Sequence, residues 1–257
     1  MDCGCSMPQG RDGRKLTERD EIILLSRRSF VAGASIASAV LSVGAARAED
    51  ACAIFTPDLQ KATTPEAALK MLKDGNARFV AGKAVNCDLM AQVKATGKGQ
   101  APFAAIVGCI DSRVPPELVF DQHIGDIFAA RIAGNFINDD IIGSLEFATK
   151  VAGAKAIVVL GHSECGAVKG AIDGAELGLL TQMLDKIKPS MNGIDPVGGE
   201  KSSGNKPYVQ AVADNNAKLA ANALIERSAV IKELVDAKQV IVASAMHNVA
   251  TGEVTFF

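Results

Sequence analysis

Four short, almost unbroken apolar runs punctuate the chain, at 103–107, 127–132, 156–160 and 240–243. Runs of this length without polar alternation predict strands buried on both faces, the environment of a parallel sheet. Between them the apolar spacing lengthens to that of helices. Ala68, Leu69, Leu72, Phe79 and Val80 recur with helical period over 65–80, and Thr63 or Thr64 before Pro65 supplies a helix start. The same period marks 141–151 and the long stretch 209–235. Strands alternating with helices predict an α/β fold: a mainly parallel central β-sheet flanked by helices, with an N-terminal amphipathic helix at 65–80. Thr251-Gly252 reads as a turn into a last strand at Val254, on the sheet's edge, and the glycine- and proline-bearing stretch 193–207 as a surface loop. No internal repeat is visible.

The first fifty residues do not follow this pattern. Ser26-Arg27-Arg28-Ser29-Phe30-Val31 leads into an uncharged, Ala-, Ser- and Gly-rich stretch that ends at Ala46-Arg47-Ala48. An arginine pair, a modest hydrophobic region and an Ala-x-Ala site resemble a cleavable twin-arginine export signal. The expectation is a signal peptide at 1–48, cleaved after Ala48, and a single catalytic domain at 49–257, periplasmic or secreted after passage through the twin-arginine export machinery. The apolar stretch is short of the roughly 20 residues a spanning helix needs, and Cys52 lacks the apolar approach of a lipidated cysteine, so no stable membrane anchor is expected.

Composition adds little to the fold but narrows the partners. The chain of 257 residues is 48% hydrophobic and 22% charged with a net charge of −2. Removing 1–48 takes away 7 basic and 5 acidic residues, leaving 20 and 24, a net charge of −4. Basic residues are scattered rather than gathered on one segment, which argues against nucleic acid and for a small neutral or anionic substrate.

The cysteines carry the chemistry. Of Cys3, Cys5, Cys52, Cys87, Cys109 and Cys165, the first two fall in the expected leader. Cys109 directly follows the first apolar run and opens Cys-Ile-Asp-Ser-Arg, while His162-Ser-Glu-Cys165 follows the third at the entrance to a helix. In an open parallel sheet these carboxyl-terminal strand ends are where ligands bind. Thiolate and imidazole donors suit zinc, and three of them leave one tetrahedral position open, the arrangement of a catalytic metal. Two thiolates cancel the formal charge of Zn²⁺, so its water should be less acidic than the value of about 7 reached at a three-histidine site. Asp111 lies close enough to orient zinc-bound hydroxide or to become a fourth ligand itself, and Arg113, a bidentate partner for the carboxylate, can decide between the two. Cys52 and Cys87 are left either as free buried thiols or as a pair. His123 and His247 read as loop or packing residues.

Cys109-x-Asp111-Ser112-Arg113 followed by His162-x-x-Cys165-Gly166 resembles the paired signature of the β-class carbonic anhydrases. The likeness runs from about Pro65 to Phe257 and includes Gly125-Asp126-x-Phe128, Arg131-x-x-Gly134-Asn135 and Gly161-His162-Ser163. It implies reversible hydration of carbon dioxide to bicarbonate and a proton by zinc-bound hydroxide, with one Zn²⁺ per chain. It also implies zinc ligands Cys109, His162 and Cys165, and an Asp111–Arg113 dyad that keeps the fourth position open. By the same resemblance Gln100 hydrogen-bonds substrate, Phe128 forms part of its apolar wall, and the sites lie between subunits of a homodimer or homotetramer. Phe147 and Ile132 depart from the tyrosine and asparagine of many relatives. With no Trp and a single tyrosine, Tyr208, the Trp-Arg-Tyr bicarbonate pocket of some relatives cannot be assembled. The alternatives are a carbonyl sulfide or carbon disulfide hydrolase on the same scaffold, or a non-catalytic zinc-binding interaction protein.

Overall fold

The structure, a computed structural model, describes residues 52–257; the expected signal at 1–48 lies outside the described residues. Two helices come first, α1 (Pro57–Ala62) and α2 (Pro65–Val80), followed by α3 (Leu89–Thr96). Thr64 caps α2, its hydroxyl accepting from the Ala67 amide, with Pro65 in the first turn where its missing N–H costs nothing. The chain then alternates: β1 (Ala104–Gly108), α4 (Pro116–Val119), β2 (Ile127–Arg131), α5 (Asp139–Glu146), β3 (Ala156–His162), α6 (Gly166–Ile172), α7 (Gly178–Asp185), α8 (Lys206–Arg227), α9 (Ala229–Asp236), β4 (Ile241–His247) and β5 (Val254–Phe256). The sheet order is β2-β1-β3-β4-β5, parallel except for β5, which runs antiparallel to β4 on the edge.

Every residue of β1 and β3 is buried, as continuous apolar runs in central strands should be. Alternate residues serve opposite layers. Ala104, Ile106, Ala156, Val158 and Leu160 pack with Ala68, Leu72, Phe103 and Phe120 under α2. Ala105, Val107, Ile157 and Val159 pack with Leu145, Ala217, Leu224 and Ile231 of α5, α8 and α9. Leu72 is wholly buried, so truncating it to alanine costs about 2–5 kcal/mol.

Several local expectations are corrected, among them the run at 240–243, whose residues 241–243 in β4 are only half-buried. The run at 127–132 is not buried on both faces: β2 is an edge strand, with Ala129 and Arg131 exposed. The periodic stretch 209–235 is two helices. Ser228 is extended (φ −113°, ψ 109°), ends α8 and caps α9, its Oγ accepting from the Ile231 amide while donating to Glu146 at 2.6 Å. The helix expected to 151 does reach Val151, but its last turn widens to a π-helix over Phe147–Val151. The loop expected to reach 207 ends sooner: α8 opens at Lys206 under an Asn205 cap.

Candidate metal centre

The centre is assembled at the carboxyl ends of β1 and β3. Cys109 is the residue after β1, His162 ends β3, and Cys165 sits at the N-cap of α6. Their donor atoms lie within 4.8 Å of one another, and all three residues are buried. A helix-to-strand layer closes over them: Phe136, Val168, Leu184, Ile187, Tyr208, Val212 and Met246 form one apolar cluster with both thiols.

Each donor is fixed by a hydrogen bond. The Nδ1 of His162 donates to the Ser163 carbonyl at 2.9 Å, which turns a bare Nε2 toward the thiols. That Nε2 is buried with no hydrogen-bond partner. An imidazole nitrogen left so, beside two free buried thiols, fits a cation of zinc's type and is costly without one. Among themselves the two thiols cannot both ionise. Cys165, donating to Cys109, together with His162 and the Gly134 amide, draws the Cys109 thiol well below its ordinary value, while the Cys109 charge and burial push Cys165 up. A divalent cation removes that conflict by favouring both thiolates.

Asp111 and Arg113 form a planar fork. Arg113 Nε donates to one carboxylate oxygen at 2.9 Å, Nη2 to the other at 2.8 Å, and the Arg113 amide adds a third bond at 3.0 Å. The guanidinium beside Asp111 therefore holds its carboxyl below the usual carboxylate range. Asp111 Oδ2 stands 3.9 Å from His162 Nε2, near enough to face whatever occupies the centre while bonded to arginine.

Other residues of the motifs acquire roles that their sequence did not announce. Arg131, at the end of β2, donates to the Cys109 carbonyl at 2.8 Å and the Asp111 carbonyl at 2.6 Å, clamping the loop between β1 and α4. The Gly134 amide donates to Cys109 Sγ at 3.3 Å. Gly134 has φ +78°, and a Cβ there would come within 2.4 Å of Ile187 Cδ1, so only glycine brings this amide to the thiolate. Its carbonyl in turn accepts from the buried Asn216 of α8 at 2.7 Å, and Asn216 is held by Ser190 Oγ at 3.0 Å. Spacing offered no hint of Asn216, which lies 82 residues from Gly134. His247, the β4 residue in register with His162, is buried with neither ring nitrogen bonded; desolvation by burial lowers its pKa to about 4.

Gln100 and Phe128 are not brought to this cluster within one chain. Gln100 is exposed in the segment between α3 and β1. Phe128 lies on β2 three residues before Arg131, about 10 Å back from the strand end at a 3.3 Å rise. Its ring meets Phe147 edge-on at 6.3 Å, and both line an open cavity of about 780 Å³ with Ala105, Ala130, Ile141 and Leu145.

The carbonic anhydrase family profile matches residues 104–254, from the first residue of β1 into β5, and so takes in the whole centre. The chain belongs to the carbonic anhydrase family. Among its relatives in the family, the carbonic anhydrase of Mycolicibacterium smegmatis is 43% identical over 135 residues, covering 50% of this chain and 66% of that protein. Carbonic anhydrase 2 of Mycobacterium tuberculosis is 42% identical over 135 residues, covering 50% and 65%. In both cases the alignment spans slightly less than two thirds of the relative's length. Among solved structures, the β-carbonic anhydrase CafA of Aspergillus fumigatus superposes with a TM-score of 0.58 at 24% identity, over 75% of this chain and 89% of that one. A tetrameric β-carbonic anhydrase of Sordaria macrospora gives 0.57 at 24% identity, over 65% and 90%. The fold is therefore that of the β class.

Proposed function

We propose that this family member catalyses the reversible hydration of carbon dioxide to bicarbonate and a proton, using one zinc ion per chain held by Cys109, His162 and Cys165. One observation carries the reading: two buried thiols and an unpartnered imidazole nitrogen converge within 4.8 Å, with the arginine-held Asp111 carboxylate 3.9 Å from that nitrogen. When bound, zinc would polarise a water and make it a better nucleophile, though with two thiolate ligands it would lower the water's pKa less than a three-histidine site does. The chain's own residues do the rest. Asp111, kept ionised by Arg113, can only accept, so it orients the attacking water through one of its hydrogens. Arg113 occupies both carboxylate oxygens and so restrains Asp111 from serving as a ligand. The apolar residues packed around Cys109 and Cys165 exclude bulk water from the donors.

Gln100 and Phe128 enter this reading through a partner subunit. Support comes from β2, an exposed edge strand beside the apolar cavity lined by Phe128 and Phe147, and from the tetrameric Sordaria macrospora proteins of the same fold. An even-numbered homo-oligomer is the proposed state, with sedimentation analysis as its test.

Export by the twin-arginine route to the periplasm or beyond is likewise proposed, on the Arg27-Arg28 segment and Ala46-Arg47-Ala48. The Cys52–Cys87 disulfide supports it, since disulfides persist in oxidising compartments. Among the described residues no helix is long and apolar enough to cross a membrane. Fractionation of cells carrying Arg27→Lys with Arg28→Lys should find active protein retained in the cytoplasm.

The activity is tested by stopped-flow carbon dioxide hydration on zinc-quantified protein, with carbonyl sulfide and carbon disulfide as comparison substrates. Fast hydration proportional to zinc content is expected. Zinc-replete protein that hydrates carbon dioxide no faster than buffer, or that turns over only the sulfur compounds, would refute it.

A further inference from the structure

A second cysteine–histidine–aspartate cluster lies outside the metal centre. Cys87, in the segment between α2 and α3, is bonded to Cys52 in a disulfide. Its Sγ lies 3.5 Å from Nε2 of His123, and Nδ1 of that ring lies 3.2 Å from Asp126 Oδ2. The same Asp126 oxygen accepts the His123 amide at 2.9 Å, so the carboxylate fixes both backbone and ring. Asp126 is 6% exposed, which ties it to this imidazole rather than to water. Cys87 and His123 face a cavity of about 420 Å³, open to solvent and lined in part by Phe79, Leu89, Glu117 and Gln122.

We propose that the Cys52–Cys87 disulfide is an exchangeable redox site for low-molecular-weight thiols, in which the His123–Asp126 pair stabilises the Cys87 thiolate as the leaving group. A thiol, histidine and carboxylate in this order form the arrangement that activates cysteine sulfur. Asp126 hydrogen-bonds His123 and holds the imidazole protonated to higher pH than usual; Asp121 adds to this and Arg78 opposes it. Glu117, also lining the cavity, is the remaining charged group in its wall besides Asp121.

An incoming thiolate attacks Cys52 Sγ; the new S–S bond joins it to Cys52 as the Cys52–Cys87 bond breaks. Cys87 leaves as a thiolate accepting the Nε2–H of His123. A second thiolate can then release Cys52, so that two external thiols are oxidised to a disulfide and the protein disulfide is reduced to two thiols. Attack at Cys52 is preferred because the sulfur with the lower thiol pKa leaves faster, and only Cys87 has the imidazolium beside it.

The test uses the mature, zinc-loaded protein. Wild-type protein is treated with glutathione and the mixed disulfide located by peptide mass spectrometry, which also separates these sulfurs from Cys109 and Cys165. Glutathione on Cys52 is expected; glutathione mainly on Cys87, or no exchange at thiol concentrations that reduce ordinary exposed disulfides, overturns the proposal. Cys52→Ser then leaves Cys87 free, and its alkylation by iodoacetamide is followed from pH 5 to 9. The midpoint should lie at least about one unit below the ordinary thiol value of ~8.5. It should move up by a similar amount in Cys52→Ser with His123→Gln, and part of the way with Asp126→Asn. Equal midpoints in all three proteins would show that the imidazole does not act on the sulfur.

Discussion

The described residues hold two cysteine–histidine clusters, set apart by the state of their sulfurs and by what bonds the far ring nitrogen. His162 donates Nδ1–H to a neutral carbonyl, is buried, and presents a bare Nε2 to two free thiols. His123 faces a carboxylate through Nδ1, which favours the charged ring, and presents an N–H to a sulfur already in a disulfide. Either partner can orient a metal-binding imidazole; the difference here is that His162 turns a bare nitrogen to two free thiols, a donor set that suits a metal, while His123, its protonated form favoured by Asp126, faces a sulfur already bonded to another. The same residue types therefore offer different chemistry according to the state of the sulfurs, the partner of the ring and the depth of burial.

The comparison is broken most completely by removing a donor of the deep cluster. Cys109→Ala, His162→Ala or Cys165→Ala should each lose bound zinc and essentially all hydration activity, read by metal analysis and stopped flow. Cys87→Ala, by contrast, should leave zinc content unchanged. Next in size is Arg113→Ala. Freed from its fork, Asp111 can turn toward the metal, so activity near neutral pH should fall about 10–100-fold while zinc is retained. The deficit should narrow toward pH 9.

A smaller effect is expected at Gly134→Ala, where the left-handed backbone and the approach to Ile187 oppose any Cβ. A loss of about 2 kcal/mol in denaturant unfolding should accompany weaker zinc binding, because the amide aimed at Cys109 is displaced.

These predictions also mark what the chain's pattern could reveal. The Asp111–Arg113 fork was legible because it acts over two residues of chain, and the Cys109, His162 and Cys165 cluster because each half lies in a recognisable motif at a strand end, although the halves are far apart in sequence. The central strands were legible because β1 and β3 are buried on both faces and contain little else than apolar residues. The edge position of β2 was not, since an apolar run does not encode which strands flank it. Ser228 was hidden within a continuous helical period, and its extended backbone, with the capping bond to Ile231, separates α8 from α9. The roles of Gly134 and Asn216 and the Cys87–His123 contact lay beyond reach for a common reason: each joins residues 25 to 82 positions apart with no motif in the chain to announce the pairing.

The shallow cluster supplies the smallest effect and a pH signature. The pKa of His123 is raised on folding, so its pairing with Asp126 contributes fully below the unfolded value of about 6.5 and is lost as pH rises through the higher folded value. His123→Gln should cost about 1 kcal/mol of unfolding free energy at pH 5.5 and distinctly less at pH 9, measured by urea denaturation. A cost that grew with pH would mean that His123 is held neutral, and the contrast between the clusters would fail.

Whether Cys109, His162 and Cys165 hold zinc can be read from X-ray absorption at the zinc edge of the purified protein. Two sulfur scatterers at about 2.3 Å and two nitrogen or oxygen scatterers at about 2.0–2.1 Å are expected. Zinc surrounded only by nitrogen and oxygen, or by four sulfurs, would contradict it.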